Sequence, residues 1–356
     1  MKKTRAAALI LLLAKTASAG EAGVLEDLQR PVSARLTALG GAATGLADDW
    51  AFSRVNPAGL GRLWRQETVM SRETLFSEQT TTTLGYAYPT LRAGTFAAGV
   101  HHVDYGDFQG YDADANRTGT LKADAWDLDL GYGRSLGAGW SAGAALRNAR
   151  QTLAGRSAAM TVVDGGVLYQ ALPKTAFPAW SAGAAVRGLG HVTGGDAATV
   201  REGSLGFSLR PLFDALIFSA DWVRPGAGKP FPRAGVEYKA REVVALRAGW
   251  DGRADAGSGL SVGAGVDAWG LQIDYAFQPY GDLGDRQQVT LTYRFGSLAE
   301  AYYERGMEYL RRGDDARAIL QFTQVIRLDP FHRRALMRIK EANERLQKNQ
   351  RSLQWP

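Results

Sequence analysis

Two groups of residues in this sequence could bind a metal ion, and neither has the spacing that a metal site needs. His101 and His102 are adjacent in a segment with strand character, so their side chains should point to opposite faces and cannot hold one ion together. Residues 112–116 read Asp-Ala-Asp-Ala-Asn, like the start of a calcium loop. Arg117 stands where that loop needs glycine, and no glutamate closes it. We predict no metal site.

Catalytic motifs are also missing from the sequence. No Ser-His-carboxylate set and no HExxH pair stands out, although the chain has 4 histidines. Glycine runs such as Gly263-Ala264-Gly265 lie in segments with strand character and are too weak to indicate a nucleotide site. We therefore predict a non-enzymatic protein with no catalytic residues and no cofactor.

The composition narrows the class of protein. The net charge is +6, but residues 297–356 carry 12 basic and 8 acidic residues, hence +4 of it, mixed along helical segments. This pattern is typical of a solvated helical face, so we expect no nucleic-acid partner. Beyond the first twenty residues, no run of eighteen apolar residues could form a transmembrane helix. Composition alone fits a soluble β-protein or a membrane barrel equally well.

The N-terminal residues have the features of a signal peptide. Lys2, Lys3 and Arg5 precede an apolar stretch at 6–14, and Ala-Ser-Ala at 17–19 matches a cleavage site. We expect residues 1–19 to be removed on export. The chain has no cysteine, so we predict neither a lipid anchor nor a disulfide.

Most of the chain has the alternation of β-strands. At 288–295 the apolar residues share one face, and the polar ones share the other: Val289, Leu291, Tyr293 and Phe295 against Thr290, Thr292 and Arg294. The same period of two recurs at 126–133, 205–210 and 271–278. Asp, Gly, Thr and Arg on the polar face suit a wet lumen, and aromatic ends of the apolar face suit membrane interfaces.

These patterns predict a mainly β fold, a transmembrane antiparallel β-barrel of about fourteen strands spanning residues 66–296. We place the strands at about 66–76, 80–88, 94–103, 122–134, 138–152, 157–170, 180–188, 200–210, 214–224, 231–239, 242–250, 258–267, 269–278 and 286–295.

The predicted connections alternate in length. Short turns fall at 89–93, 135–137, 171–179, 211–213, 240–241 and around 268, and longer loops at 104–121, 189–199, 225–230, 251–257 and 279–285. Outer-membrane barrels have short periplasmic turns and longer extracellular loops. The alternation therefore favours an outer-membrane barrel over a soluble sandwich.

Residues 20–65 have a different character, rich in small side chains. They contain Arg-Leu-Thr-Ala-Leu-Gly-Gly-Ala at 35–42, then Asp48 and Asp49, then Asn56-Pro57-Ala58-Gly59-Leu60. Asn before Pro is a good helix start. This order of motifs resembles the N-terminal signature of the PorV/PorQ family, a branch of the FadL-like fourteen-stranded outer-membrane barrels. The chain departs from the pattern at 50–55, where Phe52 and Arg54 replace the residues expected.

The resemblance implies that residues 20–65 fold into the barrel as a plug, with the Asn-Pro-Ala box near its periplasmic end. Such a lumen is too wide for wall side chains alone to fill. We expect the acidic pair Asp48 and Asp49 to bind lumen arginines, such as Arg72, Arg147 or Arg294. The box (Asn56, Pro57, Ala58, Gly59, Leu60) either holds the plug as a turn motif or contacts a ligand.

After residue 296 the period changes to that of helices. Residues 298–331 match one tetratricopeptide repeat at nine positions, including Tyr302, Tyr309 and Phe322, and 332–348 reads as a capping helix. A single repeat rarely buries enough surface to be stable alone. We expect this tail, residues 297–356, to lie in the periplasm and to bind a partner protein, with Tyr302, Tyr309 and Phe322 as the binding residues, or to cap the lumen.

Two functions remain open at this point. The resemblance implies a PorV/PorQ-type barrel that binds periplasmic or secreted cargo proteins during export or envelope assembly, in contact with outer-membrane lipid. The alternative is a FadL-like channel for hydrophobic small molecules, in which the plug rearranges and the ligand leaves sideways through the wall.

Overall fold

The computed structural model describes residues 30–353, except 76–78, 91–92, 113, 115, 154, 172–178, 194–198, 200, 242 and 254–256. The expected signal peptide, residues 1–19, lies outside the described residues, as does the start of the expected plug. The chain divides into two units. The barrel unit comprises Met1–Leu63, Glu67–Tyr88 and Ala93–Arg294, and the helical unit comprises Trp64–Gln66, Pro89–Arg92 and Phe295–Pro356.

Fourteen antiparallel strands close into a barrel in sequence order, with β1 next to β14. This confirms the predicted fold class. The strands are β1 Arg65–Thr74, β2 Thr80–Thr90, β3 Gly94–Tyr111, β4 Arg117–Gly137, β5 Trp140–Leu153, β6 Arg156–Gln170, β7 Ala179–Thr193, β8 Glu202–Asp214, β9 Leu216–Pro225, β10 Phe231–Ala240, β11 Val244–Asp251, β12 Leu260–Ala268, β13 Leu271–Pro279 and β14 Asp285–Ser297.

The barrel is polar inside and apolar outside, the reverse of a soluble protein. Burial alternates along the strands because successive side chains point to opposite faces. Charged residues such as Glu73, Asp127 and Arg286 are buried, whereas large apolar residues face outward, among them Leu84, Phe96, Leu130, Ile273 and Leu291. Such an outward apolar surface is typical of a barrel in contact with lipid.

The predicted loop at 104–121 is wrong for most of its length. β3 continues to Tyr111 and β4 begins at Arg117, so only 112–116 is a loop. A register shift between Asp104 and Asp107 absorbs extra residues, and Gly106 there has φ +81°. A bulge of this kind keeps two strands paired through glycine-rich and acidic sequence, which on its own indicates a loop.

Two other segments that we predicted as connections belong wholly or partly to strands. β8 runs through the predicted turn at 211–213, and β7 extends to Thr193 into the predicted loop at 189–199. The general alternation holds, with turns as short as 138–139 and 269–270 on one rim and loops such as 252–259 on the other. The connection at 154–155 is a short exception on the long-loop rim.

Residues 30–63 lie inside the barrel and will be called the plug. They form one helix, α1 at Ala34–Ala38, and two 3₁₀ helices at Ala51–Arg54 and Pro57–Arg62. Small residues let the plug backbone approach the wall closely. A Cβ atom added to Gly45 would lie 2.6 Å from the backbone of Gly206 on β8, so glycine is needed on this face of the plug.

The helical unit contains α2 at Leu298–Arg311, α3 at Asp315–Leu328 and α4 at Arg333–Leu353. Ser297 and Asp314 cap the first two helices by accepting hydrogen bonds from backbone N–H groups. Phe322 lies at the centre of their apolar contact, and a Cβ on Gly306 would come within 2.6 Å of its ring. Within the described part of the chain, no helix is both long enough and apolar enough to cross a membrane.

Candidate functional site

Arg35 is the centre of the contact between plug and wall. Its Nε donates to Glu237 of β10 at 2.8 Å, and its Nη1 donates to Asp48 at 2.7 Å and to Asp49 at 2.9 Å. The Phe52 ring lies 4.8 Å from the guanidinium carbon. After α1 the chain turns at Gly40 and Gly41, both with positive φ. Asp48 and Asp49 then lie within hydrogen-bond distance of Arg35.

The predicted acidic pair is in contact with arginine, but not with the arginines that we expected. Asp48 pairs with Arg35 and with Arg210 of β8, the latter at 3.2 Å. Asp49 pairs with Arg35 and accepts the backbone N–H of Phe52 at 3.0 Å.

The three arginines that we named have other hydrogen-bond partners, although Arg294 is close enough to Asp49 to act on its charge. Arg72 is exposed on the outer face of β1, where its Nη1 donates to Thr82. Arg147 pairs with Asp164 at 3.2 Å, and Arg294 pairs with Glu67 at 2.8 Å. The expectation of a lumen arginine holds for Asp48, which pairs with Arg210 of the wall. It was wrong for Arg72, because that side chain lies on the outer face of β1.

The surroundings shift the pKa values of the two plug carboxylates in opposite directions. Burial would raise the pKa of Asp48, but Arg35 and Arg210 outweigh burial and hold it below its ordinary value. Burial raises the pKa of Asp49, because Arg35 compensates it less completely and Asp48 repels its charge. Of the two plug carboxylates, Asp48 is therefore the stronger anionic partner of Arg35.

Arg54 is a second point of attachment. Its guanidinium donates to Asp127 at 2.7 Å and to Asp129 at 2.8 Å, both on β4. The carboxylates raise the pKa of Arg54 although its burial acts in the opposite direction. Position 54 is one of the two at which the sequence differs from the pattern of the PorV/PorQ family. The arginine found there forms ion pairs with the wall.

The two adjacent histidines have separate surroundings, as predicted. His101 is buried in the lumen, where Nε2 lies 2.8 Å from Asp129 and Nδ1 lies 3.0 Å from the hydroxyl of Thr83. His102 faces the other side and its ring lies 4.2 Å from that of Trp126. Within the described residues, no cluster of three or more His, Asp or Glu side chains could hold a metal ion.

Backbone groups of the plug also bond to wall carboxylates. Asp221 of β9 accepts the N–H groups of Ala43 and Thr44, each at 2.9 Å, and Glu67 of β1 accepts the N–H of Trp50 at 2.8 Å. These bonds satisfy plug N–H groups that have no helix to join. Attachment to β1, β4, β9 and β10 fixes the plug from several sides.

The Asn-Pro-Ala box is a tightly packed turn. The Asn56 side chain caps the 3₁₀ helix by accepting the Ala58 N–H at 3.1 Å, and its amide donates to the carbonyl oxygen of Thr44 at 2.8 Å. A Cβ on Gly59 would lie 2.5 Å from the carbonyl oxygen of Ala47. These contacts explain the residue types of the box by packing, and a direct contact with a ligand stays a prediction.

A bulge interrupts the wall beside the box. Arg187 and Gly188 of β7 together oppose the single residue Asp164 of β6, and Gly188 has φ +73°. The Gly188 N–H donates to the carboxylate of Asp164 at 2.7 Å. Such bulges re-aim side chains, and here both bulged residues are buried.

In the helical unit, the predicted partner-binding residues differ in exposure. Phe322 is fully buried, whereas Tyr302 and Tyr309 are partly buried against the same core. Among the side chains of this unit that the structure describes, the most exposed large apolar ones are instead Phe331 at 82%, Met337 at 66% and Leu320 at 57%. The period of the helices indicated which residues form the core. Which apolar residues stay exposed depends on how α2 to α4 pack.

Sequence reasoning missed the residues that hold the plug. Arg35 was noted only as part of a motif, and Glu237, Asp221 and Glu67 were not singled out. A usable signal was present, since charged residues on the polar face of a predicted barrel strand must face the lumen. Which plug residue meets which strand depends on contacts up to 256 residues apart, and no local pattern encodes those.

The comparisons with known proteins bear on the fold. Neither the scan against family models nor the search of curated proteins found a match. Among solved structures, the toluene transporter TbuX of Ralstonia pickettii has a TM-score of 0.52 and 13% identity, over 74% of this chain and 98% of that one. The Pseudomonas putida toluene transporter TodX has a TM-score of 0.50 and 14% identity, over 73% of this chain and 96% of that one.

A FadL homologue of Pseudomonas aeruginosa has a TM-score of 0.47 and 12% identity, over 74% of this chain and 98% of that one. The first two similarities show a shared fold. Membership of the PorV/PorQ family and the tetratricopeptide repeat stay predictions. The barrel unit of this chain thus has the architecture that TbuX and TodX also adopt.

Proposed function

We propose that this chain is an outer-membrane barrel that transports small hydrophobic molecules, with its loops outside the cell and its tail in the periplasm. The observation that carries the proposal is an apolar cluster on the barrel wall, separate from the apolar core around the plug. It lies on the inner faces of β3 to β6 and consists of Val103, Ala125, Ala149, Met160 and Val162.

This cluster has a position suited to receiving a hydrophobic molecule. Val103 lies in the half of β3 that leads to the loop at 112–116, on the rim with the longer loops. Tyr105 and Val192 pack against the cluster. The five side chains are buried, so an apolar ligand that replaced their present neighbours would keep them out of water.

The plug obstructs a straight path through the lumen. Residues 34–60 are almost all buried, and charged side chains tie them to the wall. We infer a sideways route at the seam between β6 and β7, where the bulge at Arg187 and Gly188 interrupts regular pairing. Val162 of the apolar cluster lies two residues before Asp164, which faces this bulge.

The fold has even strand number, so the chain enters β1 and leaves β14 at the same rim. That rim carries most of the short turns, such as 138–139 and 269–270. In outer-membrane barrels the short turns face the periplasm. This supports the placement of the tail in the periplasm.

A disulfide lock across the seam tests the route. Val163 and Leu189 are direct partners on β6 and β7, and the natural chain has no cysteine to interfere. Paired residues of antiparallel strands lie about 4.5–5.5 Å apart at Cα, within the range that a disulfide spans. We expect the double variant Val163→Cys/Leu189→Cys to lower uptake of labelled toluene by cells that carry the barrel, and reduction to restore it.

The matched control places the same lock on another seam. Val244 and Val266 are direct partners on β11 and β12, and both face outward. This control should transport like the wild type. An equal effect of both locks, or of neither, would rule out the β6–β7 route. Wild-type cells that take up no more toluene than cells without the barrel would rule out transport of this molecule.

A second candidate function is binding of a periplasmic or secreted protein, as in the PorV/PorQ type. The observation in its favour is the exposure of Phe331, Met337 and Leu320 in the helical unit, because apolar side chains that stay in water are typical of protein-binding surfaces. Deletion of residues 297–356 should then abolish capture of partner proteins and leave barrel assembly intact. Recovery of the same partners by the shortened chain would contradict the docking role.

A further inference from the structure

The positive charge of the helical unit is concentrated in its last helix. The helix α4 carries seven basic and two acidic residues, hence a net charge of +5. By contrast, α2 carries two basic and three acidic residues, and α3 carries two basic residues and one acidic residue. A single helix therefore supplies the charge of the tail, and such a helix is attracted to a negatively charged surface.

One side of α4 combines cations with exposed apolar side chains. Arg333, Leu336, Met337 and Lys340 follow the spacing i, i+3, i+4, i+7, so they lie on one side of the helix and will be called the α4 stripe. All four are exposed, Leu336 to 48% and Met337 to 66%. The opposite side, which carries the fully buried Ala342, packs in the core of the helical unit.

The two cations of the α4 stripe form no ion pair within the described part of the chain. Two basic residues between them along the helix are already paired. Arg334 binds Glu300 of α2 at 3.4 Å, and Arg338 binds Glu341. The stripe therefore offers two unpaired charges beside two apolar side chains, a combination that suits the boundary between anionic headgroups and acyl chains.

The helical unit follows the last barrel strand without a linker. The strand β14 ends at Ser297, and α2 begins at Leu298. A segment attached so directly to a membrane-embedded strand meets the lipid of the nearest leaflet at a high effective concentration. A contact made by a few side chains is then enough to keep the helix on that surface.

We propose that the α4 stripe docks on anionic phospholipid headgroups of the leaflet that faces the tail, with Leu336 and Met337 entering between them. The inference rests on the periplasmic placement of the tail proposed above. It takes lipid, and not a protein, as the partner of this side of α4. Transport of hydrophobic molecules is a separate property, and uptake of toluene tests it separately.

Fluorescence of the labelled full chain measures the docking. The natural chain has no cysteine, so Asn343→Cys, exposed two turns beyond Leu336, can carry one environment-sensitive nitrobenzoxadiazole dye. The chain is reconstituted into vesicles of phosphatidylcholine, alone or mixed with phosphatidylglycerol. Both leaflets have the same composition, so the orientation of the barrel does not affect the result. We expect brighter emission in the mixed vesicles only, and its loss at high salt, which screens surface charge.

Charge variants of opposite sign make the test decisive. Arg333→Gln and Lys340→Gln should each lower the ratio of docked to free helix about fivefold in the mixed vesicles. Glu344→Gln should raise this ratio, because Glu344 lies one turn beyond Lys340 on the same side. The control Arg317→Gln, on α3, should leave it unchanged.

Two outcomes would overturn the proposal. Equal emission in the two kinds of vesicle would show that lipid charge is not recognised, and would leave this side of α4 to a protein partner. Equal effects of Arg333→Gln and Glu344→Gln would show that the charge of the α4 stripe does not control the contact.

Discussion

Arg35 of the plug and Glu237 of β10 form a two-point ion pair across 202 residues of sequence. Nε lies 2.8 Å from Oε2, and Nη2 lies 3.0 Å from Oε1. Arg247 of β11 also donates to Glu237, at 2.5 Å. The pair links the plug to β10, and both partners are buried.

Removal of Arg35 should release the plug. Arg35→Gln removes the cation that Glu237, Asp48 and Asp49 share, although Glu237 keeps Arg247 and Asp48 keeps Arg210. Removal of one partner from a buried ion pair typically costs about 3–5 kcal/mol. We expect the free energy of unfolding in lipid vesicles, measured by urea titration and tryptophan fluorescence, to fall by about this amount. The control Arg72→Gln removes an exposed arginine from the outer face and should change it by less than about 0.5 kcal/mol. Equal effects of the two variants would contradict the assigned faces.

Acid should weaken the attachment of the plug through Asp48. Its pKa in the folded chain lies below the ordinary value near 4, so its contribution is complete above about pH 4 and is lost as the pH falls through the lower value. Asp49 has a raised pKa and acts with the opposite sign, because it takes up a proton more readily when folded.

The measurement is the free energy of unfolding between about pH 7 and pH 2. In Asp48→Asn this free energy should fall less steeply below about pH 4 than in the wild type. In Asp49→Asn the small increase that the wild type shows as acid is first added should be absent. If both variants follow the wild-type curve, other carboxylates control the acid response.

Gly85 of β2 should tolerate no side chain, because a Cβ there would lie 2.3 Å from the ring of Trp50. Gly85→Ala should displace this fully buried plug residue and expose the plug to protease. The matched control is Gly203→Ala on β8, since a Cβ at Gly203 meets nothing within 4 Å. Limited proteolysis followed by mass spectrometry gives the cut sites. An uncut plug in Gly85→Ala would show that Trp50 can move without loss of attachment.

The helical unit should depend on Phe322 for stability and on Phe331 only for contact with other molecules. Phe322 is fully buried and Phe331 is 82% exposed. Phe322→Ala should destabilise the helices by about 3–5 kcal/mol, measured by hydrogen exchange of the α3 amides in the full chain. Phe331→Ala should leave that exchange unchanged. Equal protection of α3 in both variants would contradict the proposed core.

The repeating features of the barrel followed from the sequence alone. Alternation with a period of two predicted fourteen strands and the inward face of most of them, because the pleat of a strand puts neighbours on opposite faces. The weakly patterned segment at 157–170 was predicted as a strand and is β6, Arg156–Gln170. The change of period after residue 296 likewise predicted helices, now observed as α2 to α4.

The tertiary structure alone decided how the plug is held. Asp48 and Asp49 were predicted to bind lumen arginines, yet the arginine that they share, Arg35, comes from the plug itself, and only Asp48 also pairs with a wall arginine, Arg210, among the described ion pairs. Phe52 and Arg54 looked like departures from a pattern and proved to be a buried core residue and an ion pair to β4. The bulge that turns Arg187 into the lumen is likewise visible only once β6 and β7 are paired. Local periodicity reports which face a side chain takes, whereas ion pairs form between segments brought together by barrel closure.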